Sequence, residues 1–228
     1  MRLKFFALLF FVSVASSDRV VCIHGILPQP GAMVKMRHGL FDAGFYTHAF
    51  KYPSRKYTIE QHGERLVKYL HRLEKKYPEQ RIHFVVHSMG GLVLRSAMNH
   101  PDFPESMKRG RSVLIGTPNK GSILARKLDN FFLARMILGD NAGKQLREYR
   151  EKNIVQLGQF PEGYPVLVIA GTKGSNPLLD GVSDGTVLVK ETRLETPHEF
   201  YKVRARHPFM TGHPQVIART IDYLKEAE

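Results

Sequence analysis

The segment Ile82-His83-Phe84-Val85-Val86-His87-Ser88-Met89-Gly90-Gly91-Leu92-Val93-Leu94 constrains the fold more than any other stretch of the chain. A β-rich apolar run leads straight into a serine, two glycines follow, and an apolar helical pattern begins without a loop between. In so tight a strand–turn–helix the two backbones pass close to the serine, and Gly90 and Gly91 supply clearance on the helix side. The usual form of the turn is Gly-x-Ser-x-Gly. Here Val86 stands at the first position, so the strands beside it are expected to carry small side chains. A purely structural alternative is a serine N-cap with glycines for close packing.

The rest of the chain repeats the alternation. Strands are expected at Val20–Ile23, Tyr46–Phe50, Arg81–Val86, Ser112–Ile115, Pro165–Ala170 and Glu199–Val203. Helices are expected at 32–43, from Thr58 to Pro78, at 88–99 and at 214–225, with Thr58 and Gln61 placed as a capping box. This order implies an α/β fold, a compact six-stranded, mostly parallel sheet covered by helices on both faces. Chemistry in such sheets gathers at the carboxyl ends of the strands. That places it at Gly25, at Ser88 and after Ile115, Ala170 and Val203.

The 228 residues suit one domain over 18–228, with no repeat and no linker. Residues 117–160 carry helical patterns without a strand and read as a helical cap insertion. There Leu124, Leu128, Phe131, Phe132 and Met136 share one helical face, which suits either a mobile cap over Ser88 or a core-packing helix. Residues 1–17 are different: a basic start, an apolar run from Phe5 to Val14, then small residues. This is the order of a secretory signal, so export to the periplasm or the outside is expected. The lone cysteine, Cys22, lies inside an apolar strand and is expected to be a buried hydrophobe.

There are 34 Lys and Arg against 21 Asp and Glu, a net charge of +13. The excess favours anionic partners, and peripheral contact with an anionic membrane or lipid surface is expected. The cations are scattered over the helices rather than gathered in one run, and nucleic acid is not expected as a partner. There is no His-Glu-x-x-His, calcium loop, phosphate loop or dinucleotide fingerprint. Neither a metal nor a cofactor is expected.

A second motif, Val20-Val21-Cys22-Ile23-His24-Gly25-Ile26, ends a strand at the same sheet edge as Ser88. Its loop is placed to offer a backbone N–H, at Ile26, to a developing oxyanion, and Met89 after the serine offers another. Together the two motifs resemble the lipase and esterase branch of the α/β-hydrolase superfamily. The likeness continues in Thr117-Pro118-Asn119-Lys120-Gly121-Ser122, in Ser183-Asp184-Gly185-Thr186-Val187, and in His207-Pro208-Phe209-Met210 followed by His213-Pro214-Gln215-Val216. The resemblance implies the α/β-hydrolase fold, with Ser88 as nucleophile, Asp184 as acid and His207 as base. Asp180 and His213 are the alternatives for the last two roles. His198 is expected at the surface, His24 as a structural part of the oxyanion loop, and the other histidines on solvated helix faces. The implied activity is hydrolysis of a carboxylic ester or lipid through an acyl-enzyme. An acyltransferase or thioesterase would use the same site, and a non-catalytic lipid-surface protein would use only the scaffold.

Overall fold

The β-branched runs form six strands: β1 (Arg19–Ile23), β2 (Tyr46–Phe50), β3 (Ile82–His87), β4 (Ser112–Ile115), β5 (Val166–Gly171) and β6 (Glu199–Val203). The computed structural model describes residues 18–26, 31, 33–128, 141–148 and 155–226. The strands form one sheet in the order β2-β1-β3-β4-β5-β6. Every pairing is parallel, so the sheet is wholly parallel rather than mostly so. Each strand but the last is joined to the next by a long crossover, which is what a parallel pairing requires. The six carboxyl ends therefore share one edge.

The helices are α1 (Val34–Asp42), α2 (Ile59–Lys76), α3 (Met89–Met98), α4 (Ile123–Lys127), α5 (Ala142–Glu148) and α6 (Pro214–Lys225). Alternate residues of each strand feed two cores. Val21, Ile23, Phe84, Val86, Leu114 and Val168 pack beneath α2 and α3. Val20, Cys22, Val85, Val113, Ile115 and Ile169 pack beneath α1 and α6. Cys22 is buried, and loss of hydration pushes its thiol up to about 12, so it serves as a small hydrophobe. The capping box of α2 is formed: Gln61 N–H donates to Thr58 Oγ1 at 3.2 Å, and Thr58 N–H donates to Gln61 Oε1 at 3.0 Å.

Three expectations need correction or restriction. The residues in register with Val86 are Ile23 and Leu114, so its neighbours are large, not small. The histidines His62 and His83 are buried, not solvated. His62 belongs to the inward stripe of α2 with Ile59 and Leu66, at helical spacing. His83 accepts from Arg111 N–H at 3.0 Å and donates to Asp18 Oδ2 at 3.1 Å. The 117–160 insertion is described in part, and the described parts are rooted in the body of the protein. Ala125, Ala142 and Leu146 join the α2–α3 core. Gln145 Oε1 accepts Ile59 N–H at 2.6 Å, and Ala142 N–H donates to Tyr57 O at 3.1 Å. Phe131, Phe132 and Met136 of the expected cap face, and the export signal at 1–17, lie outside the described residues.

Val86 is fully buried between two large neighbours in a central strand. Replacing it by glycine removes that burial and loosens the strand, at a combined cost of about 2–3 kcal/mol. Val86→Gly is therefore expected to lower the midpoint of denaturant unfolding with an unchanged m-value. An unchanged midpoint would show that the site collapses around the glycine.

Candidate active site

Ser88 sits where β3 ends and α3 begins, with φ 55° and ψ −129°. Among the described residues only Ser88 and Met33 combine a side chain with positive φ. Such a conformation costs on the order of 1–3 kcal/mol and persists only when its surroundings enforce it. Here the surroundings are visible. Ser88 N–H donates across the sheet to Ile115 O at 2.9 Å, and Gly91 N–H donates back to Ser88 O at 3.0 Å. A Cβ on Gly90 would lie 2.7 Å from both Ile23 O and His24 O, and one on Gly91 would strike the Thr117 side chain at 2.3 Å. A Cβ on Gly25 would lie 2.9 Å from Ser88 Cβ. Three glycines thus let strand, helix and neighbouring loop meet at the serine, whose side chain is half-exposed.

The loop after β1 is pinned by its carbonyls. Tyr52 Oη donates to His24 O at 2.7 Å, the His24 Nδ1–H donates to Gly25 O at 2.7 Å, and Ser54 Oγ donates to Ile26 O at 2.6 Å. The His24 ring also stacks on Tyr52 with centroids 4.4 Å apart. With the carbonyls of residues 24–26 all held, the orientation of the backbone at Ile26 is held as well. Met89 is the first residue of α3, so its N–H has no carbonyl within the helix to bond.

Asp184 and His207 come together from loops after β5 and β6. His207 Nδ1–H donates to Asp184 Oδ2 at 2.6 Å, and His207 N–H donates to Asp184 O at 3.0 Å. The other carboxylate oxygen, Oδ1, accepts Thr186 N–H at 2.8 Å and Val187 N–H at 2.7 Å. Asp184 is 2% exposed and His207 9%, so the carboxylate is buried and both its oxygens are engaged. The bond fixes the His207 tautomer with the proton on Nδ1 and leaves Nε2 free to accept. Gly116, at φ +58°, passes beneath the pair: a Cβ there would lie 3.1 Å from His207 Nδ1 and 3.2 Å from Asp184 Oδ2. Because Gly116 directly follows the carbonyl that holds Ser88, the serine turn and the Asp–His pair border the same short segment. Of the alternatives, Asp180 is exposed, and His213 caps α6 in sequence position without a side-chain capping bond. His198 lies half-buried near β6, bonded to Thr196 O at 2.8 Å.

His87 was not singled out by the sequence. It sits at the end of β3, not on a helix, and its ring packs against that of His207 with centroids 4.7 Å apart. Its Nε2–H donates to His207 O at 3.1 Å. The signal was its position directly before Ser88 at the sheet edge where the other loops converge. Burial is the main cause that pushes the His87 imidazole down to about 3, with the neighbouring His207 adding to it. The ring is therefore neutral and holds a donor against the backbone of the histidine loop.

Among the described residues no group of three or more His, Cys, Asp or Glu side chains is placed to hold a metal ion. What the arrangement offers is a serine on a strained turn, an imidazole oriented by a buried carboxylate, and backbone N–H groups at the ends of β1 and β3. That is the equipment of nucleophilic acyl transfer.

Residues 16–116, from β1 through β4, match the model of a family described as "Putative serine esterase (DUF676)". No curated protein matches the sequence. Among solved structures the chain is similar to the mature lipase BlEst2 of Bacillus licheniformis, with a TM-score of 0.74 at 19% identity, over 92% of this chain and 93% of that one. It is also similar to the metagenomic carboxyl esterase MGS0156, with a TM-score of 0.69 at 17% identity over 94% and 77% of the two chains. A third similar structure is phospholipase PlaB of Legionella pneumophila, with a TM-score of 0.67 at 14% identity over 92% and 62%. The fold is that of the α/β-hydrolases, in the form found in lipases and esterases.

Buried histidines make stability depend on pH. Burial lowers His24, His48 and His83 below their ordinary value, and takes His62 down to about 4 and His87 to about 3. Between 6.5 and these lowered values the unfolded chain binds more protons than the folded one. Stability is thus fully present above 6.5 and is lost as pH falls toward 3. His87→Phe keeps a ring against His207 but removes one titrating group. The melting temperature of this variant is expected to fall less steeply than that of the wild type over that range. Parallel melting curves would show that His87 does not carry a depressed pKa.

Proposed function

We propose that the chain is a carboxylic ester hydrolase working through Ser88, His207 and Asp184. The observation that carries the proposal is the Nδ1–Oδ2 bond of His207 to a buried, fully engaged Asp184, set beside a serine in a left-handed turn. In this reading Ser88 Oγ attacks the ester carbonyl carbon while His207 Nε2 accepts its proton. The tetrahedral oxyanion is met by the N–H groups of Met89 and Ile26. On collapse the alkoxide leaves with the proton from His207, and Ser88 is left acylated. Water then attacks the acyl carbon, His207 takes its proton, and the acid departs as Ser88 regains its own. Asp184 keeps its negative charge throughout and stabilises the imidazolium that forms in each half.

The lipase, carboxyl esterase and phospholipase names borne by proteins of the same fold support an ester or lipid substrate. The order of basic, apolar and small residues in 1–17 supports export, and the net charge of +13 supports work at an anionic lipid surface.

A fluorophosphonate probe should label the purified protein at Ser88 alone, read by mass spectrometry of its peptides. Ser88→Ala should abolish both labelling and the turnover of a short soluble ester. Asp184→Asn and His207→Ala should each lower kcat by about 10³-fold or more, since the three groups act as a unit. His213→Ala should leave kcat within a few-fold of wild type. A folded wild-type protein inert to the probe and to a panel of esters would overturn the proposal in favour of a binding protein on a hydrolase scaffold.

A further inference from the structure

Asp184 is carried by a small hairpin with a second face. The chain turns back on itself between Val182 and Val189: Val189 N–H donates to Val182 O at 2.9 Å, Ser183 bridges Leu188, and Asp184 N–H donates to Val187 O at 3.2 Å. Asp184 Oδ1 ties the tip by accepting from Thr186 and Val187. Outside the Ser88 site, this hairpin forms one wall of a cavity of about 310 Å³. Such a volume is at the small end of ligand pockets, which span about 300–1,000 Å³.

The surface of the cavity is almost wholly apolar, and cationic residues are among those that line it. Val182, Leu188 and Val189 give it an apolar floor, and Val182 is 60% exposed. Lys190, Arg193 and Lys202 stand around it, against the single carboxylate of Asp180. Arg193 is held in place over the Phe200 ring, 4.0 Å from its centroid. Three cations at the border of an apolar floor match an anion with an apolar tail. A neutral lipid would leave the cations unused, and a small inorganic anion would leave the floor uncovered.

We propose that this cavity binds a carboxylate bearing a short alkyl chain, and that the occupant braces the hairpin holding Asp184. The chain lies on Val182, Leu188 and Val189, and the carboxylate faces Lys190, Arg193 and Lys202. Pressed against both strands of the hairpin, the ligand opposes the local opening that would break the bonds from Thr186 and Val187 to Asp184. The acid released by ester hydrolysis belongs to this chemical class, but the proposal does not depend on that activity, because binding and bracing need no turnover.

Octanoate is the probe, titrated against the full chain below its aggregation threshold by calorimetry and by amide exchange. Saturable binding is expected, with slowed exchange at Thr186 and Val187 and a raised melting temperature. Acetate should produce neither effect, and octanol should bind at least tenfold more weakly. The double variant Lys190→Glu, Lys202→Glu should lose at least tenfold in affinity while melting, without ligand, at the wild-type temperature. Lys202→Gln alone, which removes one charge from a surface position, should lose a smaller factor and serves if the double variant is destabilised. No saturable binding, affinity unchanged in both charge variants, or protection confined to residues around Ser88 would each overturn the proposal. A protein that bound octanoate in this way yet hydrolysed no ester would keep this inference and lose the esterase reading, and the reverse result would do the opposite.

Discussion

The structure depends on one enforced turn. A parallel sheet aims all its strands at one edge, and β3 must hand over to α3 there without a loop. The only residue between them, Ser88, takes a left-handed conformation that a side chain disfavours. It is held by a cross-sheet bond to Ile115 and by a helical bond from Gly91. The glycines at 25, 90 and 91 are consequences of that turn. Each stands where a Cβ would meet Ser88, the end of β1 or Thr117 at under 3 Å. Removing the strain would require lengthening the turn, and that would take the hydroxyl away from the sheet edge where the other loops meet.

The same economy governs the acid and the histidine. β5 and β6 run on past the register level of Ile115, to Gly171 and Val203, toward the same sheet edge, so their loops reach the serine turn. Gly116 and Gly171 let those loops pass close: a Cβ on Gly171 would lie 2.6 Å from Asp184 Cβ and 2.8 Å from Ala205 O. Placing a carboxylate in a buried position is costly unless its oxygens are satisfied. Asp184 meets that condition with two backbone donors on Oδ1 and His207 on Oδ2. Every other imidazole around the site that shows a perturbed pKa, at His24, His62 and His87, is pushed toward neutrality by burial. Beside the Asp184 carboxylate there is thus no competing imidazolium on these rings to draw charge from the His207 pair.

Most of this was legible in the sequence because it rests on local rules. Alternating apolar runs located all six strands to within a residue at either end, and Thr58 with Gln61 located the start of α2. Around Ser88 the strand, the serine and the two glycines stand in the order that a strained turn requires, whereas Asp184 and His207 were indicated only by the resemblance of their loops to those of lipases and esterases. What escaped were contacts between distant segments. The neighbours of Val86 follow from strand order, which composition does not reveal, and so small residues were expected where Ile23 and Leu114 stand. His62 falls on the apolar stripe of α2, but a histidine in a helix rich in Lys and Glu reads as solvated. His87 gains its role from a ring that is 120 residues away in sequence.

The root of the insertion and the acid hairpin prove to be one unit, which no local pattern announces. Glu191 is buried, and burial raises its pKa, yet each of its oxygens accepts a backbone N–H from a different segment. Oε1 takes Ile123 at 2.5 Å, at the start of α4, and Oε2 takes Leu188 at 2.8 Å, in the hairpin that carries Asp184. Lys120 N–H adds a bond to Glu191 O at 3.0 Å, and Asn119 Nδ2 donates to Thr192 O at 2.6 Å. Leu124 belongs to one apolar cluster with Leu179 and Leu188. A displacement of α4 would therefore either break charge-assisted bonds at a buried carboxylate or carry the hairpin with it. The first is expensive because the freed carboxylate would stay buried. The second would move Asp184 relative to His207. The described root of the insertion consequently belongs to the support of the acid, and a cap that moves as a rigid body from residue 117 would disturb the Asp184–His207 pair it is meant to cover.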